Sequence, residues 1–220
     1  MSKQQDIDLR KDVLDELEWD PSIDARTIGV AVENGIVALS GHVPNYAAKT
    51  NAERIVKRVH GVFGVANELE VKLLSSFQRD DVDIARSAVN ALEWNVSVPK
   101  NQIKASVSKG WVTLDGTVEW YYQKRAAEEA VGVLAGVRGV TNNVMVTSRH
   151  VRAEEVKAKI EAALKRSADV DAKKIAVQAA DGKVILTGTV RSWIERQDAV
   201  SAAWSAPGVM SVVDQIRIHA

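Results

Sequence analysis

The stretch KGWVTLDGTV, residues 109–118, returns in related form as NGIVALSGHV at residues 34–43 and as DGKVILTGTV at residues 181–190. Each copy has Gly at its second position and then Val, Leu, Gly and Val at alternating positions. A period of two places these four residues on one face of a β-strand, and the leading Gly supplies the positive φ that a tight hairpin turn needs. Each copy is therefore predicted to be the second strand of a hairpin, with its Val and Leu buried under helices: Val37, Leu39, Val112, Leu114, Val184 and Leu186.

The rest of the chain repeats in register with these strands. The glycines of the first copy recur 75 residues later in the second copy, and those of the second recur 72 residues later in the third. Because this spacing holds from the first helix to the last strand of each copy, changes in length fall only in the joins. The predicted domains are residues 1–73, 76–148 and 149–220. The matched glycines are Gly35, Gly41 and Gly61; Gly110, Gly116 and Gly136; and Gly182, Gly188 and Gly208.

Each unit is predicted to contain helix, strand, strand, helix and strand in that order. The first helix has an apolar stripe at helical spacing, as at Leu9, Val13 and Leu17. The second helix ends before a Gly such as Gly61, which is the usual C-terminal cap. A helical crossover brings the third strand back parallel to the second. The predicted fold class is α+β, with three tandem αββαβ units, each a three-stranded mixed sheet covered on one face by two helices.

The glycines inside the second strands, Gly41, Gly116 and Gly188, lie on the face that is predicted to carry the helices. A residue without a side chain at such a position lets another segment approach closely. We expect a helix to be that segment.

These residues resemble the BON domain. The resemblance rests on the element order, on the Gly-x-Val-x-Leu-x-Gly-x-Val strand at residues 35–43, and on Gly64-Val65 with the Val-x-Asn-x-Leu-x-Val ending at residues 65–71. The second copy keeps this ending, whereas the third has Ser211 and Asp214 in place of its Gly and Asn. The resemblance implies three tandem BON domains and a non-catalytic, envelope- or stress-associated protein that binds phospholipid or another partner. Many family members are exported.

Composition and charge restrict the function. The formal net charge is zero, which gives no overall attraction to nucleic acid or anionic lipid, so no nucleic-acid partner is expected. The absence of cysteine excludes disulfides, thiolate nucleophiles and cysteine metal ligands. No apolar run is long enough for a transmembrane segment, and the N-terminus resembles no export signal. The expected location is the cytoplasm.

No combination of residues predicts catalysis, a metal site or a cofactor. His42, His60, His150 and His219 occupy different positions in their repeats. The glycine-rich residues 132–139 close a helix instead of opening one after a strand, so they predict a cap and not a phosphate-binding loop. The protein is therefore not expected to be an enzyme.

The aromatic residues of the middle unit suggest a lipid or partner surface. Tryptophan and tyrosine beside basic residues suit a membrane interface, where rings lie at headgroup level and cations meet phosphate. The alternative is that Tyr121 is a core residue, like its counterparts Tyr46 and Trp193, and that Trp94 and Trp111 pack between repeats. Small residues on the outer sheet faces favour that alternative. The proposed surface consists of Trp94, Trp111, Trp120, Tyr122, Lys124 and Arg125.

Two functions therefore stay open. The first is a module that binds phospholipid or a membrane surface through its BON domains, in response to osmotic stress. The second is a cytoplasmic protein–protein interaction scaffold or a chaperone-like stress protein.

Overall fold

The computed structural model describes residues 3–147, 151–167 and 172–219. These residues form three successive sets of the predicted elements. The helices are α1 (Lys3–Trp19), α2 (Tyr46–Val56), α3 (Asp81–Trp94), α4 (Tyr121–Gly132), α5 (Ala153–Arg166) and α6 (Trp193–Trp204). The strands are β1 (Ile28–Glu33), β2 (Ile36–Val43), β3 (Gly64–Asn67), β4 (Glu70–Val71), β5 (Ile103–Ser108), β6 (Trp111–Val118), β7 (Gly139–Asn142), β8 (Met145–Val146), β9 (Ile175–Ala180), β10 (Lys183–Val190) and β11 (Ser211–Ile218).

Each unit has the predicted mixed sheet. In unit 1, β1 runs antiparallel to β2, and β3 and β4 pair with β2 in parallel. Units 2 and 3 repeat this arrangement around β6 and β10. The hairpin turns have positive φ at two successive residues, as at Asn34 (51°) and Gly35 (75°), which a type I′ turn requires. The predicted fold class is confirmed.

The core of each unit lies between its sheet and its own two helices. The six Val and Leu residues predicted to be buried on the second strands have no exposed surface. They belong to three separate clusters, each completed by apolar residues of the first and second helices of the same unit. This confirms that the period-two pattern marks the covered face of the sheet.

The motif ending each unit fixes its last strand to its second helix. The Asn67 side chain donates to the Lys49 carbonyl (3.0 Å) and to Glu53 (3.2 Å), and its oxygen accepts from the Leu69 amide (3.3 Å). Asn142 makes the same three bonds in unit 2. In unit 3, Asp214 keeps the bond from the backbone two residues on, and Arg196 donates to its carboxylate at 2.6 Å. The Asn-to-Asp change is therefore compensated, and β11 is continuous.

The strand glycines have a different role from the one expected. A Cβ on Gly116 would lie 2.1 Å from the Gln102 carbonyl oxygen, which precedes β5, and Gly116 has a φ of 152°. Gly41 and Gly188 meet the backbone before β1 and β9 in the same way. The expectation that a helix approaches these glycines was wrong. The segment that lies against each glycine is the backbone just before the first strand of the same hairpin.

A Gly116→Val change should destabilise the protein by on the order of 1–3 kcal/mol, because the added side chain meets backbone that cannot rotate away and the φ disfavours any side chain. Chemical denaturation checks this. Gly64→Ala is the matched control, since its Cβ would be 3.7 Å from the nearest atom, a side-chain carbon of Ile36. Equal midpoints for Gly116→Val and wild type would contradict the backbone clash.

Candidate functional site

The second helices of successive units meet head to tail. Tyr46, the first residue of α2, lies against Gly132, the last residue of α4, where an added Cβ would be 3.5 Å from the Tyr46 ring. Tyr121, the first residue of α4, stacks on Trp204, the last residue of α6, with ring centroids 4.1 Å apart and planes at 10°. In both joints an aromatic ring at a helix start packs on the end of the next unit's helix.

The third joint closes the series. Trp193, the first residue of α6, packs against the core of unit 1. Its ring centroid is 5.1 Å from the Lys57 ammonium, just beyond the end of α2, and 4.8 Å from the Arg196 guanidinium. Trp193 corresponds to Tyr121 in the repeat, and Lys57 corresponds to Gly132. The same contact therefore joins unit 1 to 2, 2 to 3 and 3 to 1, which gives a ring with a pseudo-threefold axis.

A cleft of about 980 Å³ lies where the three helices surround this axis. Its walls come from all three units, and ligand sites of small molecules have volumes of this order. The lining combines two phenol rings with charges of both signs. Among the lining residues are Tyr46, Arg54, Tyr121, Arg125, Glu128 and Gln197.

A family model described as BON domain matches residues 5–72, 80–148 and 152–220. The chain belongs to the BON domain family. Osmotically-inducible protein Y of Escherichia coli (strain K12) is 29% identical over 128 residues, which cover 56% of this chain and 63% of that protein. The match thus spans less than two thirds of that relative's length.

Two solved structures of CdsD, described as a structural protein of the type III secretion system of Chlamydia trachomatis, align with most of this BON protein. One is 16% identical with a TM-score of 0.25, covering 96% of this chain and 92% of that chain. The other, of the C-terminal domain, is 17% identical with a TM-score of 0.28, covering 97% and 98%. TM-scores this low support no argument about this BON protein.

The six residues of the proposed surface lie on three parts of unit 2: the end of α3, the start of β6, and the start of α4 with the residue before it. Trp111 lies on the sheet face away from the helices, half exposed, with its indole N–H donating to Thr141 at 2.7 Å. Trp94 is 85% exposed at the end of α3. Tyr122 is exposed, and Trp120 and Lys124 are half-buried. Arg125 lines the axial cleft and pairs with Glu129 at 2.7 Å.

The expected packing between repeats needs correction. Trp94 and Trp111 do not fill joints between units, and the outer sheet faces are not covered, since Gly29 and Ser106 are exposed there. Tyr121 is not a core residue of its own unit alone, because it also stacks on unit 3. Sequence reasoning missed the cleft, although one signal was present: Gly132 replaces the large residues found at the equivalent positions, Lys57 and Trp204.

Neither a metal site nor a membrane span is found in the part of the chain that the structure describes. Among these residues no three His, Asp or Glu side chains are close enough to hold an ion. None of the described helices is both long and apolar enough to cross a bilayer. His150 lies outside the described residues.

Replacing Tyr121 with Ala should destabilise the protein by about 2–3 kcal/mol, because it removes a stacked ring from the joint between units 2 and 3. The adjacent Tyr122→Ala is the matched control. Its ring is 58% exposed, so its loss should change the free energy of unfolding by less than about 0.5 kcal/mol. Thermal and urea unfolding of both variants measure the difference, and equal losses would contradict the assigned joint.

Proposed function

We propose that this BON protein is a non-catalytic binding protein that attaches to phospholipid membrane surfaces. The observation that carries the proposal is a pair of tryptophans at the last residue of the first helix in units 1 and 2. Trp19 and Trp94 are each 85% exposed. The amphipathic ring of tryptophan is suited to the headgroup layer of a bilayer.

The pseudo-threefold arrangement supports simultaneous contact by these positions. Rotation about an axis keeps equivalent points at the same height along it, so Trp19, Trp94 and their counterpart Arg166 lie at one level. Arg166 is exposed and can meet a lipid phosphate. Val96, two residues beyond Trp94, is fully exposed and adds apolar surface. Together these residues supply two amphipathic rings, one cation and one apolar side chain to the proposed membrane contact.

The charges near Trp19 indicate which lipids suit this surface. Three carboxylates, Asp12, Asp15 and Glu16, line the same shallow depression as Trp19, against one cation, Arg58, which pairs with Glu16 at 3.1 Å. These carboxylates oppose a strongly anionic bilayer, because like charges repel at short range. We therefore propose that zwitterionic membranes are preferred. Of the surface suggested by the sequence, Trp94 and Tyr122 stay in this proposal, whereas Trp111 faces another direction.

The acidic residues around Trp19 also favour a second candidate function, a protein–protein interaction scaffold or chaperone-like stress protein with a basic partner. In either case we propose a role in osmotic stress, on the basis of the name of the Escherichia coli relative. The cytoplasmic location stays a prediction that cell fractionation tests. The absence of catalysis also stays a prediction, and hydrolase and transferase assays of the purified protein test it.

A Trp94→Ala variant should lose binding to phosphatidylcholine vesicles at least in part, with unchanged unfolding, because an exposed ring adds little to stability. Co-sedimentation and the blue shift of tryptophan emission measure this. Trp111→Phe is the control, and its binding should equal that of wild type.

Two results would reject the membrane surface. One is the absence of binding by wild type to both zwitterionic and anionic vesicles. The other is an equal loss in the two variants.

A further inference from the structure

Glu128 is a carboxylate without a cationic partner in the axial cleft. Its carboxylate accepts a hydrogen bond from the Asn142 side-chain amide, at 3.0 Å. In the described part of the chain no Lys or Arg lies within ion-pair distance of it. Its repeat counterpart Glu53 accepts the same amide bond from Asn67 but also pairs with Lys57 at 2.6 Å. Glu53 does not line the cleft, whereas Glu128 does.

The missing cation follows from how the first joint is built. Gly132 stands where unit 1 has Lys57, and a Cβ at residue 132 would be in van der Waals contact with the Tyr46 ring, at 3.5 Å. Glu128 therefore lacks the lysine four residues on that pairs with Glu53 in unit 1. A half-buried carboxylate in this position favours a cation from outside the chain.

Two phenol rings lie beside this carboxylate. Tyr46 and Tyr121 both line the cleft. Burial raises the pKa of both phenols, and the negative charge of Glu128 acts in the same direction on each, whereas the positive charge of Arg125 opposes the rise at Tyr121. Trp204 covers one face of Tyr121, so the exposed part of that ring faces the cleft. Aromatic rings around a carboxylate are a suitable environment for an organic ammonium group.

The opposite charge is present on the neighbouring wall. Arg54 lines the cleft, and its Nε donates to the Asn51 amide oxygen at 3.1 Å. No carboxylate lies within ion-pair distance of Arg54 among the described residues, so its positive charge is available to an anionic group. Arg125, by contrast, is already paired with Glu129.

We propose that the axial cleft binds a zwitterion, with an ammonium group at Glu128 between Tyr46 and Tyr121 and a phosphate or carboxylate group at Arg54. This chemistry is shared by a free zwitterion such as phosphocholine and by the headgroup of a zwitterionic phospholipid. The site goes beyond the membrane surface proposed above and uses none of its residues, so either one can fail alone.

The test is a calorimetric titration of the full chain with phosphocholine, with tetramethylammonium as a cation alone and inorganic phosphate as an anion alone. Phosphocholine should bind saturably with one site per chain, and more tightly than either fragment. Glu128→Gln should weaken binding of phosphocholine and tetramethylammonium by at least about tenfold, because it removes the charge but keeps an oxygen for Asn142. Arg54→Gln should weaken the binding of phosphocholine but not the binding of tetramethylammonium.

Glu53→Gln is the matched control, and its affinity for phosphocholine should stay within about twofold of wild type. Thermal unfolding confirms that each variant is folded. A second outcome is that free phosphocholine does not bind, whereas phosphatidylcholine vesicles do. If Glu128→Gln abolishes this vesicle binding and Glu53→Gln does not, the ligand is the lipid headgroup. Two results together overturn the proposal: no zwitterion binds saturably up to about 10 mM, and Glu128→Gln binds vesicles as well as wild type does. Equal losses in Glu128→Gln and Glu53→Gln also overturn it.

Trp94→Ala separates this site from the membrane surface. Loss of vesicle binding in Trp94→Ala with unchanged phosphocholine affinity supports two independent sites. Loss of both in that variant would contradict the cleft as a site of its own.

Discussion

The packing of one aromatic ring on the end of the next unit's helix holds the three units in a ring. A buried Tyr or Trp removes up to about 150–250 Å² from water, so a half-buried ring at about 25 cal/mol per Å² stabilises a joint by roughly 2–3 kcal/mol. The contacts also bring the start of each second helix to the end of another, where the partial charges of the helix dipoles attract. Units of this size have small cores, and three joints add substantially to them.

The three joints are equivalent in position but differ in chemistry. Tyr46 packs on a glycine, and its phenol group lies near the backbone of Val140, which belongs to edge strand β7. Trp193 packs under Lys57 instead, and its buried indole nitrogen has no partner. An indole N–H can only donate, so it cannot accept from a strand amide as a phenol oxygen can. The cation–π contacts with Lys57 and Arg196 offset this cost. The three joints therefore have equivalent positions but different side-chain contacts.

The fold could be predicted from the sequence because its signals are local. The alternation in the second strands, the paired turn residues and the repeat offsets each constrain a short segment, and Val37, Leu39 and their equivalents are buried as these signals require. The joints between units could not be predicted from the sequence. An aromatic residue at the same position in three copies gives the same sequence pattern whether its ring packs within its own unit or on the next unit. The clash that makes Gly116 necessary also depends on backbone that lies 14 residues earlier, at Gln102.

The functional hypotheses rest on positions where the repeat is broken. A symmetric ring would place identical side chains at equivalent positions around its axis. Instead Gly132 removes a lysine beside Glu128, and Arg54 is replaced by Glu129 and Ser201 in the other units. On the outer surface, Arg166 replaces the tryptophan of units 1 and 2. Conserved repeat positions such as Asn67 and Asn142 serve the fold, since their side chains tie strand to helix. The divergent positions are free of that constraint, and they give the cleft its unpaired Glu128 and Arg54 and place Arg166 opposite two tryptophans in the repeat.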